Sequence, residues 1–205
     1  LFYCLLFPFF SYSQWAGVDH GTNYDITGMS PYNNKLYVCG YFTTANGLST
    51  PYIASWNDTV WSDVGGGANT TVKVLCPFYG KLIAGGGFST IGGISANRIA
   101  QWNDTAWSAL GSGTTDAGIA ALATDSSYLY AGGAFVTIDG VVCNFLAKWN
   151  GSFWSALGGG VDNSVYALAI YNGDLYAGGA FIIAGGIAAS HIAMWDGFDW
   201  YPLGV

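Results

Sequence analysis

Four tryptophan pairs at nearly fixed spacing constrain this chain more than any other feature. Trp56, Trp102, Trp149 and Trp195 are each followed five residues later by a second tryptophan, Trp61, Trp107, Trp154 and Trp200. Leu36, Leu82, Leu129 and Leu175 mark an earlier point in the same register, 46, 47 and 46 residues apart. A period of this size means that one supersecondary unit is copied four times. Such units bury their apolar faces by stacking on one another rather than by folding alone.

Composition decides what the unit is made of. The 205 residues include 31 glycines and no Glu, and 17% are aromatic. Glycine weakens helix interiors, whereas aromatic and β-branched residues fit a pleated surface. The expectation is an all-β chain, and with 52% apolar residues it can fill a core. Twelve Asp against five Lys plus Arg give a net charge of -7, so phosphate backbones are repelled and nucleic acid is excluded as a partner. With no acidic cluster, the charge is read as serving solubility.

The fourth copy shows the unit most clearly. Ser164 to Ile170 reads as an apolar strand, Tyr171-Asn172-Gly173-Asp174 as a turn, and Leu175 to Phe181 as the returning strand of a hairpin. A loop from Ile182 to Ser190 leads to a third strand, His191 to Trp195, and Asp196-Gly197 turns the chain into a fourth, Phe198 to Leu203. Asn57-Asp58, Asn103-Asp104 and Asn150-Gly151 stand at the same turn in the other copies. Read as two-residue turns, they make the tryptophans of each copy diagonal neighbours that pack on the adjoining sheet. Gly85-Gly86, Gly132-Gly133 and Gly178-Gly179 imply close approach where sheets converge. Repetition without a following helix or P-loop Lys removes a phosphate-loop reading of these glycines.

Hairpin, polar loop and the IAxWNGxxWxxLG ending together resemble kelch and galactose-oxidase-type repeats, above all those of large secreted bacterial surface proteins and fungal cell-cortex proteins. The resemblance covers residues 15–205 and implies a β-propeller with four-stranded blades at 24–64, 70–110, 117–157 and 164–204. The Leu157-Gly158-Gly159-Gly160 ending departs from ordinary kelch repeats, as does Cys39-Gly40-Tyr41 in the first copy. Trp15 to Gly21 matches Trp61 to Gly67 and reads as a lone outer strand. Because the fourth copy carries its own outer strand, further blades of the same polypeptide, in a larger ring, are expected.

Residues 1–14 read as the remnant of a secretory signal peptide: the apolar run LFYCLLFPFF, then Ser11-Tyr12-Ser13-Gln14, with the basic start missing. An N-terminal strand is the alternative, opposed by Pro8. No other segment is apolar enough to span a membrane, so a secreted or cell-surface location is expected. Cys39, Cys76 and Cys143 stand where other copies carry mostly small residues and read as small buried thiols.

His20 and His191 are the only histidines and lie in different repeats, so no copper site of the galactose-oxidase kind carries over. Neither a metal nor another cofactor is expected. Asp58 and Asp104 are turn residues and Asp174 a hairpin corner, which gives no pair for glycoside hydrolysis. Sequons occur at Asn57, Asn69, Asn103 and Asn150, and turn chemistry accounts for the three in the tryptophan turn, although a eukaryotic secretory pathway could glycosylate them.

One position changes chemistry in every copy: Tyr52, Arg98, Phe145 and His191, four residues before the third-strand tryptophan. With Asn69, Thr115 and Asp162 in the connections between units, these residues form a candidate recognition face, set against drift at a solvated edge. The expected function is non-catalytic binding of a protein or glycan. The alternatives are a structural spacer in a large exported protein and a propeller-fold hydrolase or lyase.

Overall fold

The computed structural model describes residues 20–203. The signal-like segment and most of the expected lone strand lie outside the described residues. The chain is all-β and forms four antiparallel four-stranded sheets, each a meander whose strands neighbour one another in chain order. The first sheet comprises Ile26–Tyr32, Lys35–Gly40, Ile53–Trp56 and Trp61–Asp63. The second comprises Val72–Phe78, Lys81–Gly86, Ile99–Trp102 and Trp107–Ala109. Ile119–Thr124, Leu129–Gly133, Leu146–Trp149 and Trp154–Ala156 form the third. Val165–Tyr171, Asp174–Gly179, Ile192–Trp195 and Trp200–Pro202 form the fourth. The repeat is propeller-like, and each sheet is called a blade below. First strands of consecutive blades pack together, while no sheet closes among the described residues.

The loop between second and third strands is more ordered than its sequence suggests. In each blade it holds a two-stranded ribbon, such as Thr44–Ala45 with Leu48–Ser49 or Ile183–Ala184 with Ile187–Ala188. At the ribbon tips Asn46-Gly47, Gly92-Gly93, Asp139-Gly140 and Gly185-Gly186 have positive φ at both positions, the geometry of a tight hairpin turn.

The tryptophan turn corrects the sequence reading. Trp56 pairs directly with Trp61, Trp102 with Trp107, Trp149 with Trp154 and Trp195 with Trp200. The connection therefore has four residues, and the tryptophans face each other across the strands rather than diagonally. Side-chain chemistry explains the longer turn: the Asn57 Oδ1 accepts bonds from the backbone N–H groups of Thr59 and Val60 at 3.2 and 2.9 Å. Asn103, Asn150 and Asp196 do the same in their copies. Each tryptophan pair meets with ring centroids 5.3 to 5.4 Å apart.

A β-bulge in each first strand determines how blades stack. The ladder slips between Val72 and Val74, and at the matching place in the other blades. The slip turns Val72 and Leu75 to the same side, where both pack on Tyr37, Cys39 and Ile53 of blade 1. Ile119 and Leu122 likewise pack on Ile83 and Ile99 of blade 2. Val165 and Leu168 meet Ala123, Tyr130 and Leu146 of blade 3. Each blade thus has a back, carrying the bulged aliphatic pair and the tryptophans, and a front that receives the next blade.

Glycine is required at these seams. A Cβ on Gly85 would stand 2.7 Å from Ile119, and one on Gly132 would stand 2.6 Å from Val165. The close approach of sheets expected from the paired glycines is present at Gly85 and Gly132, whereas a Cβ on Gly178 would meet nothing nearer than 3.9 Å.

Candidate functional site

The chain enters each first strand, the ribbon rises and the third strand begins at one edge of every blade. That edge holds the seven candidate residues. Tyr52, Arg98, Phe145 and His191 share one backbone state there, with φ of 66°, 70°, 71° and 67°. This left-handed region is costly for any residue other than glycine. Two bonds hold it in all four blades: the residue's N–H donates to Phe42, Phe88, Phe135 or Phe181, and its carbonyl accepts from Gly40, Gly86, Gly133 or Gly179. The four phenylalanines are fully buried, so the fixed point lies on rigid packing.

The side chains on this uniform backbone meet different surroundings. Tyr52 is half-buried against the core between blades 1 and 2. The Arg98 guanidinium reaches the Thr114 carbonyl at 2.6 Å and ties blade 2 to the connection that follows. Phe145 packs on the core between blades 3 and 4. His191 is exposed. The first three therefore brace a seam as well as lining the edge.

The connecting residues have defined backbone partners. Asn69 Oδ1 accepts from the N–H groups of Ser89 and Thr90 at 3.0 and 3.1 Å, pinning the ribbon. Asp162 Oδ1 accepts from Ile182 and Ile183 at 2.8 and 2.9 Å. In blade 3 the residue doing this is Asp116, whose Oδ2 accepts from Val136 N–H at 2.6 Å, and not Thr115. The connection from Gly113 to Ile119 is one residue longer than that from Gly67 to Val72, which shifts the clamp by one position. Asn23 is the equivalent clamp in blade 1. The 47-residue spacing was the signal that could have located Asp116.

These bonds set the electrostatics of the edge. The N–H groups of Ile183 and Ile182 hold the Asp162 carboxyl below the usual range. Burial pushes Asp116 upward, but backbone N–H groups led by Val136 outweigh it and hold the group low. Asp139 is lowered by the Ser112 hydroxyl and backbone N–H, which bond its Oδ1 at 2.6 and 2.8 Å.

The opposite edge carries the hairpin and tryptophan turns. Between them lies an open hollow of about 520 Å³, lined by Pro31, Tyr32, Asn33, Asn34, Lys35, Leu36 and Asp58. Beside it the Asp104 carboxylate accepts from the Asn33 amide and, at 3.3 Å, from the Tyr37 hydroxyl, so blade 2 grips blade 1 there. No three His, Cys, Asp or Glu side chains come together among the described residues. Among those residues no helix is long and apolar enough to cross a membrane.

No family model and no curated protein matches the chain. Two computationally designed proteins of known crystal structure share its fold. Ika4 superposes with a TM-score of 0.56 at 16% identity over 86% of this chain and 93% of its own. Ika8 gives 0.54 at 16% identity over 84% of this chain, which spans only 46% of the Ika8 chain.

Proposed function

We propose that this chain is a non-catalytic, kelch-like β-propeller module, secreted or displayed on a cell surface, that binds a protein or glycan along its Tyr52–His191 edge. One observation carries this reading: a single left-handed backbone position recurs in every blade with the same two hydrogen bonds, yet carries a phenol, a guanidinium, a phenyl ring and an imidazole. A rigid scaffold with a varied rim is suited to recognition, since strained backbone concentrates where function over-determines it. Asn69 and Asp162 flank the row and add polar acceptors. The four blades belong, in this proposal, to a larger ring.

Glycan and peptide arrays probed with the whole chain test the reading, alongside an H191A chain, whose lost side chain is exposed, and an R98A chain compared at equal folded fraction. Binding to one probe class that falls at least tenfold in the two variants is expected. A chain that binds no probe, or whose binding survives both changes but falls on replacing Asn34 or Lys35 in the opposite hollow, would overturn it. A turnover screen on polysaccharide and ester substrates separates this reading from a hydrolase or lyase.

A further inference from the structure

Among the described residues no blade covers the front of blade 4, and the back of blade 1 carries the aliphatic row that fits it. On blade 3 the front residues Ala121, Ala123, Tyr130 and Leu146 are all buried beneath blade 4. The blade 4 counterparts are Ala167, Ala169, Tyr176 and Ile192, nearly the same set, yet Ala167, Ala169 and Ile192 are exposed and Tyr176 is half-buried. Gly132 is pressed by Val165 of the next blade, whereas a Cβ on Gly178 would meet only Ala167 and His191, at 3.9 Å. A hollow of about 190 Å³ stands open there, walled almost wholly by apolar atoms of Ala167, Ala169, Tyr176, Gly178 and Ile192.

The complement lies at the other end of the array. Ile26 and Met29 occupy the place of Val165 and Leu168, on a first strand with the same bulge. They are 41% and 64% exposed, while Val72 and Leu75, and Ile119 and Leu122, are buried in the same role. Trp56 and Trp61 are half-buried, unlike the six other tryptophans of the blades.

We infer that the front of blade 4 is covered by blade 1 of a second copy of this chain, and that two copies joined head to tail close a ring of eight blades. The contact continues, with the same residue types, the seam already repeated three times inside the chain. The four described blades of each copy offer one front and one back, so two equal contacts match both pairs of faces. The inference does not depend on the recognition edge, because it concerns the faces between blades.

Mass in solution over a dilution series tests it, using the whole chain and two variants that each place an arginine on an exposed surface position. A167R blocks the front and M29R blocks the back, while each leaves the other face intact. The wild-type chain is expected at twice the single-chain mass and each variant alone at the single-chain mass, with melting unchanged. Mixing the two variants restores a two-chain species through the one intact pair of faces, and it dissociates earlier on dilution. Three results would overturn the inference: a wild-type chain that stays single at every concentration, leaving the face to further blades of the same polypeptide; a wild-type mass above two chains; or a two-chain species that both variants leave intact.

Discussion

The Trp107 indole N–H donates a 2.8 Å hydrogen bond to the Val64 carbonyl, joining the outer hairpin of blade 2 to the end of blade 1. Trp200 makes the same bond to Leu157 at 3.3 Å. Trp154 stands in the equivalent place, but its buried N–H has no acceptor. The loop it meets explains the difference: Gly65-Gly66-Gly67 and Gly158-Gly159-Gly160 take positive φ throughout, whereas Ser112, at the centre of Gly111-Ser112-Gly113, does not and is drawn to Asp139. Trp107→Phe should therefore cost about 1 kcal/mol from the lost hydrogen bond beyond the loss of ring area. Trp154→Phe removes an unpaired buried donor and should cost less than Trp107→Phe. Trp107→Ala should cost about 3–5 kcal/mol. Urea unfolding of the three variants checks the order.

The clamps at the ribbons give a second comparison. Asn69→Ala removes the acceptor for two backbone N–H groups and should cost about 1 kcal/mol, reduced from a buried value by exposure. Asp116→Ala should cost a similar amount, while Thr115→Ala should change stability by less than about 0.5 kcal/mol. Equal effects at 115 and 116 would contradict the shifted register of the third connection. Thermal melts of the three chains suffice.

Acid should loosen the same edge. Asp116, Asp139 and Asp162 are held below the usual carboxylate range, so the unfolded chain binds their protons at a higher pH than the folded chain does. The stability they contribute is present above about pH 4 and is lost as pH falls through their lowered folded values. Denaturation midpoints should hold steady near neutrality and drop in acid, and the D116N chain should show a shallower drop than the wild type.

The thiols respond in the other direction. Burial pushes Cys39 and Cys143 up to about 12 and Cys76 up to about 11. All three are free and buried. Stability should therefore decline with alkali from about pH 8.5, where the unfolded thiols begin to ionise, toward those folded values. A thiol reagent added at pH 8 should label these three positions only after denaturant is added.

Much of this architecture was legible because repetition supplies its own alignment. The tryptophan and leucine registers located four sheets and their strand order, and the paired glycines marked the seams where Ile119 and Val165 press inward. The tryptophan turn was misread because an Asn or Asp side chain can serve as backbone, capping a four-residue connection where composition suggested two. Thr115 was aligned with Asn69 and Asp162 by its place in the connection, although the 47-residue spacing that records the extra residue before Ile119 points to Asp116 instead. The row of Tyr52, Arg98, Phe145 and His191 stood out by its variety, but its shared left-handed backbone leaves no sequence trace. A glycine would have announced that conformation, and none of the four copies has one there.

Within the chain each blade front is sealed by the back of the next, and we infer that the front of blade 4 takes a second chain. Thiol labelling at two matched alanines tests it most directly, in a chain whose Cys4 is replaced by Ser and whose other native thiols are buried. Introduced as A167C, the thiol should label rapidly in dilute solution and become protected as concentration rises. The A121C thiol, beneath blade 4, should stay protected at every concentration. Labelling of A167C that does not change with concentration, or rapid labelling of A121C in the folded chain, would contradict the account.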